Sequence, residues 1–397
     1  MPSDVKGKDG APASPPGESV TADGATTKKE LPPLPEPPSA KMIVRLFLIP
    51  LLIAGAVVLI MTLIGALSGG YKSVYDAIDE FEKLGGGGRT ADVLVGPGSK
   101  QRYIAAQYIS IEMRRMAERG MSEDERIKLA ERLLKALEEG TRPAEGQIQH
   151  FVILALGRVW EVDPRQPVMD SPDATESRQK IVNALITPNP SKDRPAYVDA
   201  QPLGPSKEAV KEAADVRKAA CLALGFWGGR PEAKQAVPVL ARKAKEDPDP
   251  DVRFAAISAL GPLASRADKD VVESLLGVMR NAGRNEAELV WAAAGSLAQM
   301  NVPESKDVIL MLLDRNQLKQ LEYYDRERDA DNPQARRLEE EEQQRILINT
   351  VQCAVKLDVP EVQARIKSIA ESDPAPRVRA AALESLGRAE ARRTRAK

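Results

Sequence analysis

The chain has very little of the chemistry on which most enzyme sites are built. Its 397 residues include one histidine, His150, and two cysteines, Cys221 and Cys353. These counts limit or exclude histidine-rich metal sites, Cys-x-x-Cys clusters and catalytic triads built on a second histidine. No Gly-Lys-Ser/Thr follows a glycine run, which excludes a phosphate-binding loop. We therefore predict no catalytic residue, no metal site and no cofactor.

Aromatic residues and net charge are scarce as well. Aromatic residues make up 4% of the chain, and 57 basic against 58 acidic residues give a net charge of −1. So few aromatics provide no large aromatic core, and a neutral chain lacks the basic footprint of a nucleic-acid-binding domain. We therefore expect no nucleic-acid partner. Cys221 and Cys353 fall in helices several repeats apart, too far from each other to form a disulfide.

What the chain does contain begins with two unusual N-terminal segments. Residues 1–40 hold nine prolines and almost no large apolar residue, a composition typical of disorder. Leu46–Leu67 is an uncharged apolar run of 22 residues, which is long enough to cross a bilayer as a helix. A cleaved signal peptide, giving a secreted protein, is the alternative.

The flanking charges indicate an orientation for this predicted membrane helix. Residues 26–45 carry four Lys/Arg against two in residues 68–87, which predicts a cytoplasmic N-terminus and an extracytoplasmic C-terminal region at the inner membrane. The stretch Gly65–Gly69 fits the GxxxG spacing of helix dimers, so a homodimer through the anchor is one interpretation, and glycines that end the span are the other. Tyr71–Leu84 and the glycines after it read as a juxtamembrane helix and linker.

The C-terminal three-fifths repeats one ten-residue helix. The copies are IQHFVILALG at Ile148, VRKAACLALG at Val216, VRFAAISALG at Val252, LVWAAAGSLA at Leu289 and VRAAALESLG at Val378, with a degenerate copy in residues 344–357. Counting the first letter as position zero, small or apolar residues recur at 0, 3, 4, 7 and 8, on one stripe of a helix. Position 7 is Ala or Ser in each copy, which allows a neighbouring helix to approach closely.

A second amphipathic segment precedes each copy, so the pattern predicts two antiparallel helices per repeat. Ser122, Asn301 and Asp358 each stand three residues before a glutamate and predict helix starts. One helical pair cannot bury its own apolar face, so the pairs must stack. We predict an all-α solenoid of about seven pairs, with no β structure between Val216 and Leu386.

The string DPDPDVRFAAISALG that ends at Gly261 resembles the HEAT-repeat family, in the short bacterial form also seen in phycobilisome-lyase-like repeats. The resemblance covers roughly residues 98–393. It implies that an Asp in the turn and an Arg early in the second helix tie neighbouring repeats together. The positions that match by sequence are Asp215, Arg217, Asp251, Arg253 and Arg379.

Position 2 of each copy lies opposite the packed stripe and is expected on the concave face, where a partner would bind. Successive copies place His150, Lys218, Phe254, Trp291 and Ala380 there. Phe254 and Trp291, in adjacent repeats, predict an aromatic patch for a protein partner, although packing of both rings against their own first helices is the alternative. Two insertions, 187–205 and 316–344, interrupt the period and are further candidates for binding.

These observations give one interpretation of the chain. Residues 1–40 are a disordered tail, 41–69 a transmembrane anchor, 70–97 a juxtamembrane helix and linker, and 98–397 a HEAT-like solenoid. The expected function is that of a membrane-anchored, non-catalytic scaffold that binds a protein through its concave face. The alternatives are a lyase-like enzyme with carboxylates in the groove and a cell-wall or sugar-binding module.

Overall fold

The computed structural model describes residues 71–85, 97–141, 144–161, 171–189, 194–281, 286–324 and 335–395. Contacts divide the chain into two units, Met1–Thr62 and Leu63–Lys397, and all the described residues lie in the second. The tail predicted for residues 1–40 therefore lies outside the described residues.

Helices account for most of the described chain. The α-helices are α1 Val74–Gly85, α2 Pro97–Arg119, α3 Glu123–Gly140, α4 Gly146–Val159, α5 Pro172–Ile186, α6 Lys207–Gly225, α7 Val237–Glu246, α8 Pro250–Leu263, α9 Lys269–Asn281, α10 Ala287–Gln299, α11 Lys306–Leu312, α12 Arg315–Gln320, α13 Glu340–Ala354, α14 Pro360–Ser372 and α15 Pro376–Arg395. Short 3₁₀ helices are Tyr197–Asp199, Ala233–Ala236 and Pro303–Ser305.

The helices stack in two rows. One row, which we call the second-helix row, is α2, α4, α6, α8, α10, α13 and α15, and each of these helices packs on the next. The first-helix row, α1, α3, α5, α7, α9, α11 with α12, and α14, covers one face of it. The described residues therefore form seven helical pairs of a solenoid. Helix α1 belongs to the first pair, since Ile78 and Phe81 are fully buried in the shared core.

Glycine at position 9 of the repeat helix sets how closely successive second helices approach. A Cβ added at Gly157 would lie 2.6 Å from Cα of Ala223, and one at Gly225 would lie 3.0 Å from Cα of Ala259. At Gly261 the same atom would lie 3.0 Å from Cα of Ser296. Each glycine thus packs against the small residue at position 7 of the next second helix, a close approach that only small residues permit.

The predicted helix starts differ in outcome. Ser122 caps α3, because its side chain accepts a hydrogen bond from the backbone N–H of Glu125. Asn301 and Asp358 are not caps of the helices that follow them. Asn301 has a left-handed backbone with φ of 60°, and its side chain accepts a hydrogen bond from the N–H of Asp358. It links two turns of neighbouring repeats instead of starting a helix.

The predicted fold class and localisation need correction in their membrane part. The longest described helix, Pro97–Arg119, interrupts its apolar residues with charged ones such as Arg102 and Glu112. No helix within the described ranges is long and apolar enough to cross a bilayer, and this finding contradicts the predicted single-pass inner-membrane protein. Leu46–Leu67, on which that prediction rested, lies outside those ranges.

The prediction of no β structure between Val216 and Leu386 is also wrong. Strands β1 Glu322–Tyr324 and β2 Ala335–Arg337 pair antiparallel within the second insertion, with Tyr323 opposite Arg336. The strands are three residues long and read Glu-Tyr-Tyr and Ala-Arg-Arg, so they lack the alternation of apolar and polar residues that predicts a strand. The hairpin is local, and the helical rows continue on both sides of it.

Candidate functional site

A pocket opens where three helices of the second-helix row, α8, α10 and α13, come together. Its volume is about 360 Å³, and it passes between α10 and α13 to reach α11 of the first-helix row. We call it the aromatic pocket, and its lining residues are Phe254, Ser258, Trp291, Ala292, Gly295, Ser296, Gln299, Ile309, Leu312, Ile346, Asn349, Thr350, Gln352 and Cys353.

The structure brings Phe254 and Trp291, which sequence position 2 singles out, to the same pocket. Phe254 is 40% exposed although it is a large apolar residue. Trp291 is half-buried, and its ring centroid lies 6.1 Å from that of Tyr323. An exposed phenylalanine beside a partly covered indole is the kind of anchor that protein interfaces use.

Two other position-2 residues lie on neighbouring helices outside the pocket, and each contacts the next repeat. Nδ1 of His150, in α4, is 3.0 Å from the backbone carbonyl oxygen of Asp215 in α6. Lys218 of α6 forms an ion pair of 2.8 Å with Asp251 of α8. These contacts span successive second helices, so both side chains already have a structural role.

The hairpin of the second insertion is held beside the pocket by three side chains. The Tyr323 hydroxyl donates to Oε1 of Glu342 at 2.9 Å, and Arg336 donates to the same carboxylate while its guanidinium lies 4.7 Å from the Tyr323 ring centroid. Hydrogen bonding by Arg336 holds the pKa of Glu342 down at about 2. Since Tyr323 contacts Trp291, the hairpin forms part of the pocket's surroundings.

Helix α13 supplies the polar side of the pocket, which the sequence did not single out. Nε2 of Gln299 donates to Sγ of Cys353 at 3.1 Å. Asn349 and Gln352 are exposed, one turn apart. The degenerate repeat copy in residues 344–357 is the sequence signal that contains Asn349 and Gln352. The 29-residue insertion before it obscures which of its residues correspond to position 2 of the other copies.

Two arginine–aspartate pairs clamp the repeats, one with both side chains buried and one whose arginine is partly buried. Arg217 of α6 binds both carboxylate oxygens of Asp247, at 2.8 and 2.9 Å, and Arg315 of α12 binds Asp373 in the same way, at 2.8 and 2.8 Å. Each aspartate begins an Asp-Pro-x-Pro turn that precedes a second helix. The guanidinium beside it holds the pKa of each aspartate below its usual range against the opposing effect of burial.

The other residues that the family resemblance singles out also form ion pairs or hydrogen bonds. Arg253 forms an ion pair of 2.6 Å with Glu286, just before α10. Arg379 donates to the backbone carbonyl of Asp373 at 2.6 Å, within its own pair. The acidic partner of Arg217 is Asp247 in the following turn, while Asp215 contributes its backbone carbonyl to His150.

The first insertion buries one short segment, Ala196–Val198, and its other described residues are exposed or partly exposed. Tyr197 and Val198, in its 3₁₀ helix, are 4% and 0% exposed, and burial raises the pKa of Tyr197 to about 12. The Tyr197 hydroxyl donates to the carbonyl of Leu137 in α3. This part of the insertion therefore fills a gap between helices of the two rows.

The pocket's lining is uncharged. No residue of its lining carries a formal charge. Burial raises the pKa of the Cys353 thiol, and it raises that of Cys221, outside the pocket, to about 12, so neither cysteine is poised as a thiolate. In the part of the chain that the structure describes, no group of three or more His, Cys, Asp or Glu side chains is arranged to hold a metal ion.

Comparison with known proteins identifies the repeats in the middle of the chain. Residues 207–288 and 244–322 match the family model of HEAT repeats. No curated protein sequence matches the chain. Among solved structures, the C-terminal fragment of the cohesin loader SCC2 from Chaetomium thermophilum is similar at 14% identity and a TM-score of 0.27, over 86% of this chain and 30% of that chain. The chain spans less than a third of that structure, and a likeness at this level carries no argument about function.

Proposed function

We propose that this chain is a non-catalytic scaffold that binds a protein partner on the exposed face of the second-helix row. The aromatic pocket is the anchoring point. The observation that carries the proposal is that Phe254, 40% exposed, and the half-buried Trp291 line one pocket among three helices of the second-helix row. Residues of this kind dominate the binding energy of protein interfaces.

The arrangement of the solenoid supports binding through a surface. The HEAT-type repeats present a continuous row of second helices, and interlocked glycines and buried ion pairs fix the spacing of that row. A surface whose backbone is held in this way loses little entropy when a partner docks. This is the property that a scaffold requires.

The pocket chemistry favours binding over catalysis. The enzyme alternative requires carboxylates or another acid–base pair in the groove. The lining of the aromatic pocket offers amides, hydroxyls, a protonated thiol and apolar side chains. These groups can hold a ligand through contacts and hydrogen bonds, and they supply no general base.

Site-specific photo-crosslinking tests the proposal. A photoreactive amino acid at Ser258, inside the pocket, is expected to capture a polypeptide in the source cells, and the same residue at the exposed Glu273 of α9 serves as the control on the other row. The cross-link from position 258 should disappear when Trp291→Ala is added. Equal capture from both positions, or capture that ignores Trp291→Ala, would contradict the proposal.

A further inference from the structure

Two positions of the repeat helix face the next helix of the second-helix row. Position 9 is the glycine that packs on that helix, and position 5 lies about 40° from position 9 around the helix axis. In α10 these positions are Ala294 and Ala298, and both belong to the hydrophobic cluster that continues into α13. The position-5 residue is fully buried in the four clear copies before α15, where it is Ile153, Cys221, Ile257 or Ala294. A following second helix therefore covers both positions where the row continues.

The same two positions of α15 are uncovered. Leu383, at position 5, is 58% exposed, and a Cβ added at Gly387, at position 9, would meet no atom within 4 Å. Helix α15 packs on α13 and α14 with its other sides. In the part of the chain that the structure describes, α15 thus presents an apolar side chain with a hollow beside it. These are the components of a contact between second helices, without the second partner.

Two charged side chains border this surface. Glu384 and Arg388 form an ion pair within α15, with 48% and 41% of their side chains exposed. An exposed pair four residues apart on a helix contributes little to stability, so its charges can be shared with another molecule at small cost. We call Leu383, Glu384, Gly387 and Arg388 the end face.

The end face is complementary to itself. Leu383 and Gly387 are one turn apart, and so are Glu384 and Arg388, and the midpoints of the two pairs are one residue apart. When two copies of a helix pack antiparallel about a twofold axis, residue i contacts residue j and j contacts i. An axis at this level places each Leu383 over the hollow at the other Gly387. It also places each Glu384 near the other Arg388, so that four charges alternate around the axis.

The opposite end of the second-helix row does not match the end face. Helix α2 exposes Gln107, Ile111 and Arg114. Within the row, each glycine at position 9 opposes an alanine or a serine, and these long side chains offer no such residue. The geometry therefore favours a closed pair of α15 helices over head-to-tail stacking, which would form an open filament.

We infer that the end face is a docking surface for a second copy of this chain, and that two copies pair through antiparallel α15 helices. A single helix pair buries less than the roughly 1,200–2,000 Å² of a standard interface, so the dissociation constant is expected on the order of 10 µM. No residue that lines the aromatic pocket belongs to α15. The dimer carries two pockets, and a partner with two binding segments gains avidity from it, a consequence that rests on the proposed function.

Analytical ultracentrifugation of the full chain, from about 1 to about 100 µM, measures the pairing. We expect a monomer–dimer equilibrium, which Leu383→Ser should weaken at least about tenfold because it removes the apolar contact. Phe254→Ala is the matched control, since it removes another exposed apolar side chain from the second-helix row and should leave the pairing unchanged.

A pair of charge reversals tests the antiparallel arrangement. Glu384→Arg makes both charges of the end face positive, and Arg388→Glu makes both negative, so each variant alone should be monomeric across this range. A mixture of the two variants should form a one-to-one heterodimer, because opposite charges then meet across the axis. Lys269→Glu, at an exposed position of α9, is the control reversal and should not affect the equilibrium.

The altered side chains are exposed, so the variants should fold, and circular dichroism checks this. A wild-type chain that stays monomeric at about 100 µM would overturn the inference. So would self-association that persists in Leu383→Ser, a mixture of reversed variants that does not pair, or assemblies that grow beyond the dimer with concentration. Each of these results leaves the scaffold proposal standing, since that proposal is tested at Ser258 and Trp291.

Discussion

The contacts between successive second helices, which we call steps, are of two kinds. The three steps from α4 to α10 are close, and the step from α10 to α13 differs from them. In the first three, a glycine at position 9 packs directly on the backbone of the next second helix. At the next step position 9 is Ala298, and the glycine nearest to α13 is Gly295, where an added Cβ would meet only the Cys353 side chain, with Sγ at 3.5 Å and Cβ at 3.8 Å. Because no glycine of α10 packs on the backbone of α13, these two helices leave room for a pocket between them.

The hydrophobic core shows the same division. One cluster of buried residues runs from Val74 to Val302, and a second runs from Ala294 to Ala382, so both include residues of α10. The region up to α10 therefore has one continuous hydrophobic core. The region after α10 has a second core, and α10 contributes residues to both. A repeat protein can form a binding site by loosening one step while it keeps the fold on either side.

The arginine–aspartate clamps do not follow this division. Arg217–Asp247 lies in the region up to α10 and Arg315–Asp373 lies beyond the pocket, with the same two-oxygen geometry. The clamps fix the turns of both regions, whereas the glycines set only the gap between second helices. Substitutions in the clamps and substitutions of the glycines can therefore test the difference between the two regions separately.

The largest effect is expected from breaking a clamp. Asp247→Ala should lower the free energy of unfolding by roughly 3–5 kcal/mol, because it leaves the buried Arg217 without its carboxylate. Asp373→Ala should cost less, because the partly buried Arg315 keeps an ion pair of 2.7 Å with Glu340. Urea denaturation followed by circular dichroism measures both. The control is Asp251→Ala, at a half-exposed pair, which should cost less than about 1 kcal/mol.

A smaller effect on stability is expected when a glycine is replaced by alanine in each of the two regions. Gly157→Ala should destabilise the protein by about 1–3 kcal/mol, because its Cβ would overlap Ala223 in the next helix. Gly295→Ala and Gly387→Ala should be neutral or stabilising by up to about 1 kcal/mol, since a Cβ there meets ordinary contact or open space. Equal losses at all three glycines would contradict the account of the open step.

Acid should loosen the hairpin beside the pocket. The folded-state pKa of Glu342, about 2, lies below its ordinary value of 4.5. Its contribution to stability is therefore complete above about pH 4.5 and is lost as the pH falls towards 2. We expect the Trp291 emission to change across this window because Trp291 contacts Tyr323. Glu342→Gln should remove that change; if the variant titrates like the wild type, the assignment to Glu342 fails.

The smallest effect on stability is expected at the proposed anchor. Phe254→Ala should change the free energy of unfolding by less than about 1 kcal/mol, because the ring is 40% exposed. Leu260→Ala in the same helix, where the side chain is fully buried, should cost about 2–5 kcal/mol. A loss at Phe254 as large as that at Leu260 would assign the ring to the core and remove the reason to treat it as a binding residue.

The sequence predicted the parts of this molecule that depend on local pattern. The stripe in VRFAAISALG located α8 and its buried face, and position 2 located Phe254 and Trp291. It missed Asn349 and Gln352, since the insertion before α13 obscures the repeat register. It also missed the Arg217–Asp247 clamp, which joins residues 30 positions apart across a turn. Contacts of this kind depend on how repeats stack, and the periodicity of a single helix does not determine that.

Hydrogen exchange with and without the partner captured at Ser258 tests the central claim most directly. The account predicts that the partner slows exchange of backbone amides in α8, α10 and α13, around the aromatic pocket, and leaves α7, α9 and α14 of the first-helix row unchanged. Protection that falls on the first-helix row, or that spares α10 and α13, would contradict the claim that the open step of the second-helix row is the binding site.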